Sequence, residues 1–411
     1  MLSALSYSWR SLWRNRRRTL ITLAAIALSI MLVQAFHNLS VGVYAQMIDD
    51  GVRAGSGHLA VYRDGYLDGR EETFSFAPGD LAAQARAISG VRQVLPRLYL
   101  PALAQSSHDS RGILLVGVEP TAERTVNPFL KDLAEDSMLR DSDGRDAVIG
   151  KRLLDDLKLA VGRKLVVTAQ HRDGTLHSEL LRVRGVVATG IAEIDGSLLM
   201  VGRERAALLA GMPGEIHELA IILDQADDER RVFPALAALT GGRPELAAVS
   251  WETAMPNLAN AIKLDYASQK FIFVVILLIV TIGVVNTLLM SVMERLREFG
   301  VVLALGSAPA RLRRLVLLEA LLLGAVAAAV GCLLGALATW YLVDVGIDLK
   351  SFIPETLEFG GVVFDPVLRA TWDLAWMAKI ALYVVGLTLL AALYPAIKAG
   401  RITPVEAMRH H

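Results

Sequence analysis

Histidines and acidic residues are the side chains here that could support hydrolysis or metal binding, and five of the eight histidines lie between residues 58 and 251. These five are His58, His108, His171, His177 and His217. Their positions share no spacing typical of metal ligands, and His217 with Glu218 lacks the second histidine at position 221 that a zinc-binding helix motif needs. The acidic residues are spread among basic ones, as on a solvated surface. The sequence therefore predicts no catalytic residues and no metal site.

Phosphate binding by a glycine-rich loop is the other chemistry to test, and residues 144–152 are the segment that comes nearest to such a motif. Gly150 and Lys151 are followed there by Arg152 where Ser or Thr is required, and the glycine spacing is one residue too long. Cys332 is the single cysteine, which excludes an intrachain disulfide and a cysteine-based metal site. The 42 Lys and Arg balance 42 Asp and Glu, so no nucleic-acid partner is expected. We expect the chain to bind no cofactor and to hydrolyse no ATP itself.

Residues 294–306 concentrate charged, aromatic and glycine residues in about four helical turns. The charged residues are Glu294, Arg295, Arg297 and Glu298. Phe299, Val302 and Leu305 are spaced for one helical face, and Gly300 and Gly306 permit close approach or a turn. The segment therefore predicts a short helix that docks onto another protein, although a simple interfacial helix would share its amphipathic pattern.

The elements that position this segment are long apolar runs. Apolar residues make up 54% of the chain and the mean hydropathy is +0.44, which is high for a soluble domain. Four runs reach the roughly 20 residues needed to cross a bilayer core of about 30 Å: residues 20–41, 271–293, 315–343 and 380–397. The sequence therefore predicts an α-helical membrane protein with four transmembrane helices.

Basic residues flanking the runs predict the orientation, because they favour the cytoplasmic side. Arginines precede the first run, five more lie in residues 294–314, and residues 344–379 are rich in acidic residues instead. We expect both termini in the cytoplasm, with residues 1–19 as an amphipathic surface helix and residues 398–411 as the C-terminal segment. Residues 42–270 and 344–379 are then outside. A cleaved signal peptide is the alternative for the N-terminus, but the apolar run continues past its candidate cleavage site.

The large outer region, between the first and second transmembrane helices, is predicted to be an α+β domain. Strand patterns occupy residues 58–62, 91–95, 112–118, 164–169, 181–187, 198–201 and 219–223, and helical patterns occupy residues 80–88, 151–159, 203–209 and 227–239. Asp80 is expected to cap a helix, and Arg172, Asp173 and Gly174 predict a hairpin turn. Residues 251–270 form a helical stalk into the second span, with Pro256 as the only breaker.

The third span carries small residues that predict close helix packing. Gly324, Gly331 and Gly335 share a face, and such residues let two helix backbones approach. The neighbouring helix could belong to the same chain or to a second copy. Glu319 is the only acidic residue inside a span, and we expect an ion pair with Arg314.

Three stretches of the chain resemble the FtsX-like permeases, the group that includes the MacB-type and the lipoprotein-releasing (LolC/LolE-type) ABC transporters. They are residues 14–20, residues 294–306 with Glu319 downstream, and residues 394–409. The order of one span, a large outer domain and three further spans is also that family's architecture. The resemblance therefore covers the whole chain and implies a bacterial inner-membrane protein with a MacB-like periplasmic domain.

The resemblance also implies partners. Two cytoplasmic ATPase subunits would bind ATP and Mg²⁺, and a second permease copy or a paralogue would complete the membrane unit. Residues 294–306 would be the coupling helix, with polar contacts from Glu294, Arg295 and Glu298 and apolar anchors at Phe299 and Leu305. Pro404 and Glu406 would lie beside it. Leu303 stands where most relatives have Arg, which removes one expected polar contact.

Residues 94–97, 115–120 and 186–195 resemble the lipoprotein-releasing branch, whereas the hairpin at residues 168–180 is shorter than the extended hook of that branch. We therefore expect a permease that extracts or exports lipoproteins, lipids or another amphiphile by ATP-driven motion of the outer domain. Two alternatives stay open. One is a mechanical transducer that activates a periplasmic partner such as a cell-wall hydrolase, and the other is tripartite efflux with an outer-membrane partner.

Overall fold

The computed structural model of the protein describes residues 2–131, 133–189, 192–349, 358–359, 362–363 and 367–401. The chain forms two compact units. The helical unit comprises Met1–Tyr44, Leu264–Leu349 and Val367–His411, and the α+β unit comprises Ala45–Lys263 and Lys350–Pro366. Pro404 and Glu406, predicted to contact a partner, lie outside the described residues.

The α-helices in chain order are α1 Leu2–Leu12, α2 Arg16–Ala54, α3 Tyr66–Gly69, α4 Leu81–Arg86, α5 Pro120–Val126, α6 Pro128–Lys131, α7 Lys151–Asp156, α8 Ala192–Ser197, α9 Arg203–Ala210, α10 Glu229–Thr240, α11 Trp251–Ala254, α12 Pro256–Glu294, α13 Leu296–Ala304, α14 Pro309–Asp344 and α15 Leu374–Gly400. The strands are β1 Leu59–Arg63, β2 Val91–Gln105, β3 Ser110–Val118, β4 Asp146–Gly150, β5 Lys164–Gln170, β6 Leu176–Val187, β7 Leu198–Gly202, β8 Glu218–Leu223, β9 Leu246–Ser250, β10 Ile347–Asp348, β11 Glu358–Phe359, β12 Val362–Val363 and β13 Val367–Leu368.

Four helices are long and apolar enough to cross a membrane, judged by length and composition: Tyr7–Ala54, Pro256–Glu294, Pro309–Asp344 and Leu374–Gly400. Each apolar run predicted from the sequence lies inside one of them. At 39 residues, α2 and α12 are each ~58 Å long, about twice the thickness of a bilayer core. The expected stalk begins at Pro256 because proline lacks the N–H that a helix interior needs, and α12 then runs unbroken to Glu294.

The core of the helical unit joins α2, α12, α14 and α15 through buried aliphatic and small side chains. They are Ile26, Ile30, Val284, Leu288, Ala320, Ala327, Ala328, Val384, Ala391 and Ala392. A Cβ on Gly331 would lie 2.7 Å from the Cβ of Ile30 in α2, and one on Gly324 would lie 3.2 Å from Thr388 in α15. Gly335 likewise abuts Gln34 of α2. The three glycines thus pack against helices of the same chain.

The α+β unit is organised by one nine-stranded sheet in the order β3-β7-β4-β6-β5-β2-β8-β1-β9. The 15-residue β2 takes part in both halves, since residues 91–97 pair with β8 and residues 98–105 pair with β3. Each half packs against one of the two largest hydrophobic clusters of the unit, which divides the unit into two lobes. Asp80 occupies the N-cap position of α4 as predicted, although its side chain makes no capping hydrogen bond.

Candidate functional site

The charged segment at residues 294–306 folds as a separate short helix in the helical unit. α12 ends at Glu294, and Arg295 interrupts the helical path with φ −104° and ψ 11° before α13 begins. Gly306 has φ +86°, and Gly306 N–H and Ser307 N–H donate to the carbonyls of Leu303 and Val302. This is the glycine-dependent end of a helix, because a residue with a Cβ rarely adopts that backbone angle.

Arg295 holds α13 to the rest of the helical unit. Its Nη1 donates to Glu319 Oε1 of α14 at 2.6 Å and to Ser11 Oγ of α1 at 2.6 Å, and its Nη2 donates to Tyr7 OH at 3.0 Å. Arg295 and Glu319 are both buried. The partner of Glu319 is therefore Arg295 and not Arg314, which corrects the prediction.

Phe299 belongs to the same internal packing. It is 2% exposed, and it packs with Val292 of α12, Leu312 of α14 and Ala396 of α15. The Arg295 guanidinium carbon lies 4.9 Å from the centre of the Phe299 ring. Gly300 is buried beside it. Arg295 and Phe299 thus fix the position of α13, and the prediction that both face a partner is corrected.

The two acidic residues of the segment contact arginines near the N-terminus. Glu298 Oε1 lies 2.6 Å from Arg14 Nη1, and Glu294 Oε1 lies 2.8 Å from Arg18 Nη1. The hydrogen bond from Arg14 lowers the pKa of Glu298, which keeps this carboxylate ionised. Both carboxylates stay partly exposed, and Arg297 is exposed. The sequence contains both arginines in its basic N-terminal run, but nothing local indicates which acidic residues they meet.

The outward face of α13 is charged at its start and becomes apolar toward its C-terminal end. Val301 is 52% exposed, Val302 38% and Leu305 82%. Leu305 is exposed as the predicted docking role requires, and Val301, which sequence reasoning missed, lies one turn before it. The spacing of residues 301 and 305 on a helix was the signal that could have revealed this pair.

The α+β unit contains a cavity of about 630 Å³. Its apolar walls include Leu114, Val116, Phe129, Val187, Met200 and Leu258. Arg97 lies buried at its edge, with Nη2 2.7 Å from Glu123 Oε1 and Nη1 3.2 Å from Glu218 Oε1. Because these charged groups also line the cavity and are hydrogen-bonded to one another, they give its wall one fixed polar region.

The hairpin at residues 168–180 is formed by β5 and β6, with the predicted turn at Arg172–Gly174. His171 N–H donates to Thr175 C=O at 2.8 Å, and Gly174 has φ +84°. The tip is bound to the end of α9 and the segment that follows it, since Arg172 N–H donates to Ala210 C=O at 2.9 Å and Arg172 Nη1 lies 2.6 Å from Glu215 Oε1. The fold also brings His171 and His177 together with Asp173. Spacing along the chain did not indicate this cluster, because strand pairing and a turn bring the three residues together.

Two family models match this chain, one over its N-terminal part and the other over its C-terminal part. The model of the MacB-like periplasmic core domain matches residues 19–237, which is more than half of the chain. The model of the FtsX-like permease C-terminal region matches residues 270–404.

Three curated relatives illustrate the range of similarity. The lipoprotein-releasing system transmembrane protein LolC of Neisseria meningitidis is 25% identical over 78% of this chain and 79% of its own length. LolE of Haemophilus influenzae is 21% identical, over 78% of each chain. The macrolide export ATP-binding/permease protein MacB of Nitrobacter winogradskyi is 25% identical over 96% of this chain, which spans 58% of that longer protein. Together with the two matched models, these relatives show that the chain belongs to the FtsX-like, MacB-type family of ABC transporter permeases.

Proposed function

We propose that this chain is the permease subunit of an inner-membrane transporter whose ATP is hydrolysed by separate ATPase subunits. ATP and Mg²⁺ would be bound by those subunits and no cofactor by this chain. The basic residues around the helical runs support cytoplasmic termini and a cytoplasmic α13. The α+β domain, inserted between the first and second membrane helices, would then lie in the periplasm.

One observation carries this proposal: α13 exposes an apolar patch while its opposite face is anchored inside the helical unit. Val301, Val302 and Leu305 are available to a partner, and exposed apolar residues clustered in this way mark protein-binding surfaces. The Arg295–Glu319 ion pair connects α13 to α14. A push on α13 would therefore reach α14 directly and the unbroken α12 through its end at Glu294.

Replacement of Leu305 with glutamate tests the ATPase contact. A charge placed at an apolar anchor that is buried on binding should reduce the free energy of binding to the ATPase by about 2 kcal/mol or more, which is roughly a thirtyfold loss of affinity. We expect the amount of ATPase that co-purifies with the affinity-tagged chain, measured by mass spectrometry, to fall accordingly. Leu208→Glu is the matched control, because Leu208 is a 56% exposed helical leucine in the α+β unit. Unchanged co-purification of Leu305→Glu would remove the coupling role of α13, and absence of any ATPase with the unaltered chain would refute the proposed function.

A second permease copy or a paralogue is proposed to cover part of α12. That helix leaves large apolar side chains exposed, among them Phe271 at 70%, Leu278 at 56% and Ile282 at 61%. Lipid would cover the remainder. Cysteine crosslinking along this helix in membranes, in a Cys332→Ser background, would give a covalent dimer if the proposal is right and only monomer if lipid covers the whole face.

For the substrate, we propose lipoproteins, lipids or another amphiphile, on the basis of the similarity to LolC and LolE. The match to MacB over nearly the whole chain favours export as a second candidate, and the shortness of the β5–β6 hairpin agrees with it. A photo-crosslinking residue at Met200, in the wall of the cavity, would distinguish them. Captured lipoprotein or lipid supports the first candidate, and a captured soluble export substrate supports the second.

A further inference from the structure

The β5–β6 hairpin places two imidazoles and one carboxylate at its tip. Ala169 pairs with His177 across the hairpin, and His171 lies two residues beyond Ala169. Because side chains alternate along a strand, His171 and His177 project from the same face of the hairpin. Asp173 lies in the turn between them. Three residues that look unrelated in the sequence thus become neighbours.

The distances suit a common metal ion. His171 Nδ1 lies 3.1 Å from Asp173 Oδ1, and one ligand atom from each of the three residues lies within 4.8 Å of the other two. Zinc binds imidazole nitrogen and carboxylate oxygen at about 2.0–2.2 Å, so two ligand atoms on a tetrahedral ion lie roughly 3.4 Å apart. His171 and Asp173 are already close to that separation. The His177 ring is stacked on His171 with 4.3 Å between ring centres and 21° between ring planes, so it must turn about its side-chain bonds for a ring nitrogen to point at the same ion.

The tip is also held in place before any ion binds. The His171 ring packs against Gly211, where a Cβ would collide with its Nε2, so Nδ1 is the nitrogen that faces Asp173. The Arg172 N–H donates to Ala210 C=O at 2.9 Å. Asp173 Oδ1 accepts hydrogen bonds from Thr175 N–H and Oγ1. Within the described part of the chain, the His177 ring nitrogens make no hydrogen bond, which leaves them available as ligands.

We propose that the hairpin tip binds a divalent transition-metal ion of the zinc class through His171, Asp173 and His177. Two imidazoles and one carboxylate are a donor set that such ions prefer, and the exposed position leaves a remaining coordination site to water. The ion would tie β5, the turn and β6 together at the tip. This site does not depend on the proposed function.

Zinc titration of the full chain in lipid nanodiscs tests the site. The chain is purified without a polyhistidine tag, and the terminal His410 and His411 are replaced by glutamine so that they cannot bind zinc. We expect saturable binding of one ion by calorimetry. His177→Ala should weaken binding at least about tenfold, since loss of residues that merely support a ligand already costs that much. The matched control is His108→Ala, an exposed histidine beside Asp109 outside the cluster.

A second variant separates metal binding from a purely structural role. Asp173→Asn can still accept the hydrogen bonds of Thr175, so the turn should persist, but it loses the anionic ligand. We expect weakened zinc binding with unchanged thermal unfolding in the presence of a chelator. Zinc should also slow amide hydrogen exchange in residues 168–178 of the unaltered chain and not of His177→Ala. The proposal is overturned if zinc does not bind saturably, or if both variants bind it as tightly as the unaltered chain.

Discussion

Replacing Arg295 with alanine should destabilise the helical unit far more than an ordinary arginine substitution. Arg295 is 5% exposed and Glu319 3%, and their side chains are 2.6 Å apart. Removing one partner of a buried ion pair leaves the other charge buried without compensation, at a cost of about 3–5 kcal/mol. This corresponds to a change in the unfolding equilibrium between about 100-fold and a few thousand-fold. The hydrogen bonds to Tyr7 and Ser11 are lost in the same step.

The measurement is unfolding of the detergent-solubilised chain, followed by circular dichroism as denaturing detergent is added. Arg314→Ala is the matched control, because it removes the same charge at an exposed position of α14, the helix that carries Glu319. We expect Arg314→Ala to change the free energy of unfolding by no more than about 0.5 kcal/mol. A double variant, Arg295→Met with Glu319→Leu, should recover most of the loss, since an apolar pair of similar volume replaces a buried ion pair at little cost.

Two outcomes would refute this reasoning. If Arg295→Ala and Arg314→Ala were equally mild, the ion pair would not anchor α13. If the double variant were no more stable than Arg295→Ala alone, an uncompensated Glu319 would not be the cause of the loss.

The α+β unit should lose stability as the pH falls below about 6.5, which is the pKa of a histidine side chain in an unfolded chain. Burial lowers the pKa of His58 and His217, so the unfolded chain binds more protons and stability is lost as the pH falls toward the lowered folded values. Thermal unfolding of the full chain at pH 7.5 and 5.5 measures this loss of stability. His217→Gln can still donate to Glu72 C=O and accept from Tyr99 N–H, and it should reduce the difference in unfolding temperature between the two pH values. An unchanged difference would exclude His217 as a cause. For the orientation, a membrane-impermeant maleimide should label Val161→Cys in intact spheroplasts and Ala310→Cys only after permeabilisation, both in a Cys332→Ser background. The reverse labelling pattern would overturn the proposed topology.

Much of the fold could be predicted because hydropathy and periodicity are local properties of the chain. Each of the four apolar runs lies inside one long helix, and the predicted turn at Arg172–Gly174 is present. The extent of β2 was underestimated, since residues 98–105 owe their strand structure to pairing with β3 and β5. β3 follows β2 directly in a hairpin, but β5 is distant in sequence, so a local window contains only part of the information.

The histidine cluster shows the same limit. Spacing along the chain excluded a metal motif, yet strand pairing brings His177 back beside His171 and the turn supplies Asp173. An argument from cross-strand register, applied to the predicted hairpin, would have found the cluster. Spacing rules drawn from helices could not, because residues three or four apart are neighbours only on a helix.

The four apolar helices, the α+β character of the intervening domain and a charged helix within residues 294–306 could all be predicted from local sequence patterns. Which side chains of that helix face outward depends on how the helix packs in the folded chain. Arg295 and Phe299 are engaged by α1, α14 and α15, while Val301 and Leu305 are left exposed. The physical reason is that amphipathicity specifies that a helix has two faces, whereas the side chains brought near it by folding determine which face becomes buried.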